Sequence, residues 1–355
     1  MPRGKAVALL SGGLDSRLAV KLLVDQDIEV AAINFVTPFC TCTSHGCRSE
    51  ARAAASQLGV PLKVVNNSEA LIAAVRHPRH GHGRGLNPCL DCRILSFKRA
   101  AEYMEEIGAT FLVTGEVVGQ RPMSQRRAAM EIIEEEAGLV GRVLRPLSAQ
   151  HLPPTEPELS GLVDRERLLG IVGRGRREQM DLAAEMGMND YPCPAGGCLL
   201  TDPVFAARLG VLLDEFPDVS MPQVTLMKAG RHFRSSTGQW IIVPRDDLEN
   251  RRLYNLRHAL VAVLEAIEVG GPQGGVLAAG RAVEETLREA AALVARYGQG
   301  RERESVDVRV YAPDESWEYV VRASPAEGLL LAERLDSVGA VKVSSLQSSA
   351  RRSAR

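Results

Sequence analysis

The amino-acid sequence predicts an α/β protein with a doubly wound parallel sheet, followed by a smaller α+β domain. Apolar strand-like runs alternate with helical patterns over the first 150 of the 355 residues. Such alternation is typical of crossover units that place helices on both faces of a parallel sheet. A glycine-rich turn follows the first strand-like run, and from about Met221 the pattern changes to short strand-like segments and one long helical segment. These three observations define the predicted fold class.

Each element of the first part follows from its hydrophobic pattern. Short apolar runs predict strands at residues 6–10, 28–36, 62–65 and 110–114. Leucines at helical spacing predict the first helix from Asp15 to about Val24. Further helices are predicted over residues 48–58, which are alanine-rich, and over residues 92–107, which end at Gly108. Strands and helices therefore alternate as crossover connections require.

The remainder of the chain divides into three segments. A proline-rich stretch at residues 151–160 predicts a linker, and the helical pattern that follows is interrupted at residues 191–202. The α+β domain is predicted to contain strands at 240–243, 306–311 and 317–321 and a helix over 280–297. The predicted divisions are a catalytic domain at 1–150, a linker and helical segment at 151–215, the α+β domain at 216–343 and a disordered tail at 344–355.

Composition excludes several classes of protein. The hydrophobic fraction of 45% supports a packed core and argues against a mostly disordered chain. The net charge of −1 does not by itself indicate a nucleic-acid binder, although local patches matter more than the sum. An aromatic content of 4% argues against base stacking as the main mode of binding. No apolar run approaches the roughly 20 residues of a membrane span and no signal peptide is recognised, so we expect a cytoplasmic protein without a membrane partner.

The turn after the first strand has the properties of a phosphate site. It contains Ser11, Gly12, Gly13, Asp15 and Ser16. Two glycines let the backbone approach an anion, and successive N–H groups at a helix start form an anion-binding nest. The turn is neither a Walker loop nor a dinucleotide fingerprint, because the residues that define those motifs are absent.

This string resembles the pyrophosphate loop of the ATP-pyrophosphatase (PP-loop) superfamily, whose fold is the adenine nucleotide alpha-hydrolase-like sheet. The resemblance implies that Ser11, Gly12, Gly13, Asp15 and Ser16 bind ATP and that Asp15 helps to place Mg²⁺. Members of the superfamily cleave ATP between its α- and β-phosphates and adenylate a carbonyl oxygen, which a nucleophile then displaces as AMP. The loop alone does not distinguish amidating enzymes from tRNA thiolases.

The seven cysteines form three groups along the chain. Cys89 and Cys92 stand in a C-x-x-C motif at a predicted helix start, where the helix dipole is expected to lower their pKa and two thiolates can bind one metal. Cys198 lies in a glycine-containing turn that can bring its sulfur to a shared site, and sequence does not separate its role from that of Cys193. Three sulfurs suit an iron–sulfur cluster, a structural zinc or a catalytic dithiol.

The first cysteine group is less informative. Cys40, Cys42 and Cys47 have His45 between them. A small zinc site and plain thiols near solvent explain this spacing equally well. In a reducing compartment all seven cysteines are expected to be thiols or metal ligands.

Two motifs and one segment narrow the resemblance to tRNA thiolases. The Asn87–Cys92 motif, followed by Phe97 and Lys98, resembles the catalytic cysteine segment of tRNA 2-thiouridine synthetases. Residues 114–125, with Gly115, Gln120 and Ser124, resemble the nucleotide-site motif of tRNA 4-thiouridine synthetases. Residues 192–202 resemble a stretch of stand-alone proteins related to those synthetases. The resemblance covers about residues 5–215 and implies that Cys89, Cys92 and Cys198 are catalytic.

The resemblance also has gaps. The N-terminal RNA-binding (THUMP) region and the rhodanese domain of the usual 4-thiouridine enzymes are not recognised here. Residues 230–234 and Asn250 resemble the RNA-binding domain of NFACT-type proteins. Phosphate contacts are therefore predicted in two patches, one of them before the C-x-x-C motif: Arg79, Arg84, Lys228, Arg231, His232 and Arg234.

Together these resemblances imply an ATP-dependent tRNA sulfurtransferase that makes 4-thiouridine. Related thiolases use a cluster held by three cysteines, and Cys89, Cys92 and Cys198 fit that arrangement. The hypothesis for this chain is a [4Fe–4S] cluster whose open iron holds a sulfide that attacks uracil C4 after adenylation of its oxygen. The rival mechanism uses a persulfide on Cys198 or Cys89. The implied partners are tRNA and either free sulfide or a cysteine desulfurase, and the oligomeric state is left open, a homodimer included. The alternatives are an enzyme that inserts sulfur or nitrogen into a small molecule and a non-catalytic, cluster-bearing RNA-binding protein.

Overall fold

The computed structural model of the protein describes residues 4–40, 47–188, 190–191, 197–326 and 333–334. The side chains of Cys47, Glu333 and Arg334 lie outside this description. The described chain forms two compact units, with the division between Thr201 and Asp202. No helix in the described parts of the chain is both long enough and apolar enough to cross a membrane.

The first unit contains a five-stranded, wholly parallel sheet in the order β3-β2-β1-β4-β5. Its strands are β1 (Lys5–Leu9), β2 (Glu29–Val36), β3 (Leu62–Asn66), β4 (Phe111–Thr114) and β5 (Val143–Leu144). Its helices are α1 (Leu14–Val24), α2 (Cys47–Leu58), α3 (Ser68–Arg76), α4 (Cys89–Ile107), α5 (Arg127–Ala137), α6 (Glu156–Leu159) and α7 (Arg177–Glu185). The predicted doubly wound sheet is confirmed.

The central strand is buried on both faces, which is why its sequence is an apolar run without polar alternation. Ala6 and Ala8 belong to the core on one face of the sheet, whereas Val7 belongs to the core on the other face. Strand order reverses at β1, which pairs with β2 on one side and β4 on the other. In open α/β sheets ligands bind at such a reversal, beyond the carboxyl ends of the strands.

The segment after β5 differs from the predicted linker. A 3₁₀ turn spans Ala149–His151, and α6 begins with a capping box formed by Thr155 and Glu158. Buried Val163 and Leu168 pack into the core of the first unit. Proline here starts a short helix, since its missing N–H is unpaired in the first helical turn anyway. Residues 161–176 are mostly irregular, whereas the sequence pattern predicts a helical segment there.

The second unit is built on a seven-stranded antiparallel sheet in the order β11-β10-β8-β9-β7-β6-β12. Its strands are β6 (Arg231–Arg234), β7 (Trp240–Val243), β8 (Ala262–Ala266), β9 (Gly274–Leu277), β10 (Val306–Tyr311), β11 (Glu318–Ala323) and β12 (Glu333–Arg334). Its helices are α8 (Pro203–Glu215), α9 (Met221–Leu226), α10 (Asp247–Asn255) and α11 (Glu284–Tyr297). The predicted separate α+β domain is confirmed.

Helix α11 supplies most of the helical part of the second core. Ala290, Leu293 and Val294 are fully buried and cluster with apolar side chains of the sheet. The helix begins at Glu284 rather than at Gly280, where the sequence pattern places its start. The predicted tail at residues 344–355 lies outside the described residues.

Candidate active site

The glycine-rich turn lies at the carboxyl end of β1, where the sheet order reverses. Gly12 has a φ of +84°, a left-handed conformation that favours glycine. An added Cβ at Gly12 would lie 2.5 Å from the backbone carbon of Glu50. The turn therefore requires glycine at this position for both conformation and space.

The two serines of the turn face each other across the loop. Their hydroxyl oxygens, Ser11 Oγ and Ser16 Oγ, are 3.2 Å apart. Ser16 is buried and its hydroxyl donates to the Gly13 carbonyl oxygen at 2.8 Å, whereas Ser11 is exposed. The loop thus offers a solvent-facing hydroxyl next to the N-terminus of α1, as an anion site needs.

Asp15 connects the turn to the segment after β4. Gln120 Nε2 donates to Asp15 Oδ2 at 3.1 Å. Asp15 Oδ1 is buried without a hydrogen-bond partner among the described residues. An added Cβ at Gly115 would lie 2.5 Å from the carbonyl carbon and oxygen of Asp15, so the two segments are packed backbone against backbone. Three of the predicted ATP-binding residues, Asp15, Gly115 and Gln120, are therefore brought together.

Two buried side chains that the sequence analysis did not select hold the turn in place. Arg17 donates through Nε to the Gly12 carbonyl oxygen at 2.7 Å, and burial lowers its pKa although Asp190 and Glu50 act against that change. Asn34, at the end of β2, donates through Nδ2 to the Leu10 carbonyl oxygen at 2.8 Å. A single polar residue inside the apolar run of β2 was the available sequence signal for Asn34.

A buried ion network lies behind the segment after β4. Glu116 Oε1 accepts from Arg93 Nη2 at 2.6 Å, and Glu116 Oε2 accepts from Arg145 Nε at 3.0 Å. Arg145 also pairs with Glu134. Burial alone would raise the pKa of Glu116, but the charges of Arg93 and Arg145 outweigh it and hold the pKa below its ordinary value. Ser124, predicted to bind ATP, is buried in the turn that follows.

The C-x-x-C motif occupies the first turn of α4. The helix begins at Cys89, and the Cys92 amide donates to the Pro88 carbonyl oxygen at 2.9 Å. Burial raises the pKa of Cys92 to about 12, in spite of the neighbouring Arg93 charge. The expectation that the helix start lowers this pKa is therefore wrong for Cys92, because desolvation of the thiolate exceeds the effect of the dipole.

Cys198 is held next to the C-x-x-C motif by the backbone on both sides of it. It forms an isolated antiparallel bridge with Cys40, and the Leu199 amide donates to the Phe39 carbonyl oxygen at 2.8 Å. The Leu86 amide, just before the motif, donates to the Leu200 carbonyl oxygen at 3.0 Å.

The three sulfurs are consequently near neighbours. The charges of Cys198 and Cys89 both act on Cys92, and that of Cys89 acts on Cys198. Burial raises the pKa of Cys198, although a hydrogen bond from the Leu200 backbone acts in the opposite direction. All three are free thiols. Within the described ranges no three His, Cys, Asp or Glu residues converge closely enough to hold a single metal ion.

The first cysteine group gives little support to a zinc site. Cys40 is disulfide-bonded, so it is not a free thiolate, and the expectation that all seven cysteines are thiols or ligands does not hold for it. Cys42, Cys193 and the side chain of Cys47 lie outside the described residues.

The Arg- and His-containing loop before the C-x-x-C motif is anchored to that motif. The backbone amides of Arg79 and His80 donate to the carboxylate of Asp91, at 2.9 and 3.2 Å. The side chains of Arg79 and His80 both contact Glu136. Arg84 is exposed, and no acidic partner for it appears in the described part of the chain.

A second basic loop, which the sequence analysis missed, lies beside the nucleotide motif. The Gly173 amide donates to the Val118 carbonyl oxygen at 2.7 Å, and Val172 forms a parallel bridge with Val118. Arg174 is exposed, and the side chain of Arg177 is 95% exposed. The run Gly-Arg-Gly-Arg-Arg at residues 173–177 was the signal that could have revealed this loop.

The side chains predicted to contact phosphates from β6 of the second unit are buried or engaged with other residues of that unit. His232 is fully buried, and its Nε2 lies 2.8 Å from the Ala229 carbonyl oxygen. Arg234 forms a two-pronged ion pair with Glu215, at 2.9 and 2.5 Å. Arg231 packs its guanidinium 4.4 Å from the ring centre of Tyr297. These three side chains of β6 mainly serve the packing of their own unit.

Two family models match the chain. Residues 4–137 match the HUP domain of tRNA methyl transferase, and residues 230–330 match the RNA-binding domain of NFACT proteins. Both resemblances predicted from the sequence, to the tRNA thiolase branch of the PP-loop enzymes and to NFACT-type RNA-binding domains, are confirmed. The predicted α/β and α+β architecture agrees with these matches.

Similar curated proteins match the first unit. A tRNA-specific 2-thiouridylase MnmA from Coxiella burnetii is 38% identical over 117 residues, covering 30% of this chain and 32% of the relative. The protein of the same description from Geobacter metallireducens is 33% identical over 129 residues, covering 32% of this chain and 35% of the relative. The chain thus spans about a third of the length of the curated relatives it matches.

Solved structures show more distant similarity. A complex of a 4-thiouridine synthetase with RNA and bound ATP is 26% identical, with a TM-score of 0.38, and covers 52% of this chain and 41% of that one. The C-terminal part of a fibronectin/fibrinogen-binding protein from Streptococcus suis is 11% identical, with a TM-score of 0.25, and covers 72% of this chain and 92% of that one.

Proposed function

We propose that the protein is an ATP-dependent tRNA uridine thiolase, and that its product is 4-thiouridine. The observation that carries the proposal is a continuous chain of contacts from the phosphate loop to the cysteines. Asp15 contacts Gln120 and Gly115, the next residue Glu116 pairs with Arg93, and Arg93 follows Cys92 directly. Loop, nucleotide motif and thiols therefore belong to one edge of one sheet.

ATP is proposed to bind with its phosphates against the N-terminus of α1. The backbone amides of the loop and the hydroxyls of Ser11 and Ser16 suit a polyphosphate. The buried Oδ1 of Asp15, which has no hydrogen-bond partner among the described residues, fits Mg²⁺, which prefers carboxylate oxygens and bridges protein to phosphate. Gln120 holds the other carboxylate oxygen and thereby orients the first one.

The chemistry consists of two displacements. A uracil carbonyl oxygen attacks the α-phosphorus of ATP, and pyrophosphate leaves toward the loop. Hydrogen sulfide then attacks the activated carbon, and AMP departs with the former carbonyl oxygen. One proton of the sulfide replaces the N3 proton that adenylation released to water, and the other passes to water. The nucleotide motif at residues 114–125 favours C4 as the activated position, because that motif resembles the 4-thiouridine enzymes.

The cysteines are proposed to hold an iron–sulfur cluster. Three neighbouring, partly buried free thiols are a suitable donor set, and cysteines of a cluster bind different irons, so they need not converge on one ion. Cys89, Cys92 and Cys198 would be the ligands. When bound, a cluster with three protein ligands supplies one iron that is open to an external sulfur.

RNA is proposed to follow the basic loops that border this edge. Residues 79–84 are anchored on Asp91, between the two cysteines of the motif, and residues 173–177 are anchored on Val118. Exposed arginines such as Arg84 and Arg174 are free of acidic partners in the described ranges and suit backbone phosphates. The sulfur donor in the cell is either free sulfide or a cysteine desulfurase.

Nucleoside mass spectrometry tests the proposal directly. The protein is purified and reconstituted with iron and sulfide without oxygen, then incubated with unmodified tRNA, ATP, Mg²⁺ and sulfide. We expect 4-thiouridine that requires ATP, and its loss with Cys89→Ser, Cys92→Ser or Cys198→Ser. Cys193→Ser is the matched control and is expected to retain both iron and activity.

Each alternative gives a different result in this assay. Full activity in iron-free protein would remove the cluster from the mechanism and favour direct attack by free sulfide, and full iron content in Cys92→Ser would remove Cys92 from the ligand set. A 2-thiouridine product would move the chemistry to C2. ATP cleavage without any thionucleoside would favour a small-molecule substrate and contradict the proposed tRNA activity.

Replacing Gln120 with alanine should weaken the placement of Mg²⁺ by Asp15. We expect the rate of AMP formation at limiting Mg²⁺ to fall about tenfold, since one charge-assisted hydrogen bond contributes about 1.5 kcal/mol. Saturating Mg²⁺ should restore most of the rate, which a general folding defect would not allow. An unchanged Mg²⁺ dependence would remove Gln120 from the site, and Gln150→Ala, on the turn after β5, serves as the control.

A further inference from the structure

An open cavity lies in the second unit, on the side of α10. Its volume is about 460 Å³, and it is lined by Asn250, Arg251, Tyr254, Asn255, Gly271 and Gln273. The lining comes from α10 and from the connection between β8 and β9. None of these residues has a role in the proposed ATP or sulfur chemistry, which belongs to the first unit.

Gln273, which lines the cavity, is held in place through its amide nitrogen, while its amide oxygen is shielded from solvent. Its Nε2 donates to Glu265 Oε1 at 2.6 Å, and Tyr311 donates its hydroxyl to the same oxygen at 2.8 Å. A carboxylate only accepts hydrogen bonds, so the amide nitrogen of Gln273 must face Glu265. The other end, Oε1, is buried without a partner among the described residues. A buried acceptor of this kind is costly unless a donor reaches it.

Tyr254 supplies an aromatic surface at the same cavity. Tyr254 is 45% exposed. The guanidinium of Arg257 lies 4.1 Å from the ring centre and donates to the Tyr254 carbonyl oxygen at 2.9 Å. The ring is therefore supported by a cation and still open to solvent. Such rings are the usual stacking surfaces for unpaired nucleobases.

Exposed arginines of α10 without an acidic partner in the described chain lie at and beside the cavity, which Arg251 lines. Arg251 and Arg252 are exposed on α10, and neither has an acidic partner within the described chain. Burial and the nearby charge of Arg252 lower the pKa of Lys228. By contrast, Arg245 at the start of α10 is paired with Glu249. The end of α10 that borders the cavity thus carries the uncompensated charge.

We propose that this cavity binds one unpaired nucleotide of RNA, with its base on Tyr254 and its phosphate near Arg251 and Arg252. The proposal rests on the tRNA substrate proposed above and locates where the second unit contacts it. It moves the contact from β6, where Arg234 and His232 are occupied or buried, to α10. The match of residues 230–330 to an RNA-binding domain is independent support.

Fluorescence anisotropy of labelled, unmodified tRNA with the full chain tests the site. Tyr254→Ala is expected to weaken binding at least fivefold, whereas Tyr254→Phe should bind as the wild type does, because stacking needs only the ring. In the double variant Arg251→Ala and Arg252→Ala, the slope of log K for tRNA binding against the logarithm of the salt concentration should become less steep. The expected change is about 0.7 for each phosphate that the two arginines neutralise in the wild type. Tyr319→Ala, an equally exposed ring on β11, and Arg322→Ala are the matched controls.

The outcomes separate this site from the proposed thiolase activity. Wild-type affinity for Tyr254→Ala, or equal losses in the control variants, would overturn the nucleotide site. Loss of affinity only in the α10 variants, with melting temperatures near that of the wild type, would support it. Specific RNA binding through α10 without any thionucleoside product would support the site while refuting the thiolase. Thionucleoside formation that is insensitive to Tyr254→Ala at limiting tRNA would support the thiolase and refute the nucleotide site.

Discussion

Replacing Gly12 with alanine is expected to lower the rate of ATP cleavage about 100-fold or more. Gly12 has a φ of +84°, and an alanine Cβ there would lie 2.5 and 2.7 Å from the carbonyl carbon and oxygen of Glu50. Backbone atoms cannot rotate away as a side chain can, so the loop must move. The amides proposed to hold the phosphates move with it, and loss of one preorganised donor costs about 100-fold in kcat.

The measurement is AMP and pyrophosphate release, together with the melting temperature of each variant. Gly59→Ala is the matched control, because Gly59 also has a positive φ, +67°, but no atom lies within 4 Å of an added Cβ. We expect Gly59→Ala to cost about 1 kcal/mol in stability and to leave ATP cleavage unchanged. A wild-type rate in Gly12→Ala would contradict the assignment of this turn as the pyrophosphate loop.

The sheet and the position of the glycine-rich turn could be predicted because their determinants are contiguous. An apolar strand, a left-handed glycine and a helix start follow one another within residues 5–16. The pairing of Gln120 with Asp15 spans more than a hundred residues, yet both positions belonged to recognisable motifs. Sequence patterns therefore reveal those positions whose backbone conformation is determined by neighbouring residues.

The parts of the site that were missed depend on distant packing. The helical pattern around Arg17 explains only the apolar positions of that helix. The role of Arg17 becomes visible only in the folded structure, where its side chain donates to the glycine-rich turn. The raised pKa of Cys92 follows from burial, which a helix-start signal does not report. Likewise, His232 lies in a short segment that begins and ends with arginine, but its side chain is buried in the core beside Trp240. Side-chain burial was the missing information in each case.

Replacing Glu116 with glutamine is expected to destabilise the first unit by about 3 kcal/mol, because a buried ion network that loses one partner leaves uncompensated charge. Glu116 is 3% exposed and joins Arg93 to Arg145. In glutamine one of the two carboxylate oxygens becomes an NH₂ group, which cannot accept from the guanidinium that it faces. Arg93 Nε and Arg145 Nη2 are already buried without partners in the described chain. Glu102→Gln, which breaks an exposed pair with Arg99, should cost less than about 0.5 kcal/mol.

Urea unfolding can assign this loss to the first unit. Both tryptophans of the chain, Trp240 and Trp317, lie in the second unit, so tryptophan fluorescence follows that unit while far-ultraviolet circular dichroism follows both. Glu116→Gln should lower the urea midpoint of the dichroism transition and leave the fluorescence transition in place. Equal shifts of both signals would show that the network does not act within the first unit alone.

The same network predicts how stability depends on pH. The folded-state pKa of Glu116 is below the ordinary 4.5, so its ionised form stabilises the fold above that value and the contribution is lost as pH falls through the lower, folded pKa. The difference in unfolding free energy between wild type and Glu116→Gln should therefore be constant near neutral pH and shrink below about 4.5. Because Arg93 joins Glu116 to the C-x-x-C helix, the same variant should also lose thiouridine formation at neutral pH. A difference that persists unchanged to low pH would mean that shape, rather than charge, makes Glu116 necessary between the nucleotide motif and the cysteines.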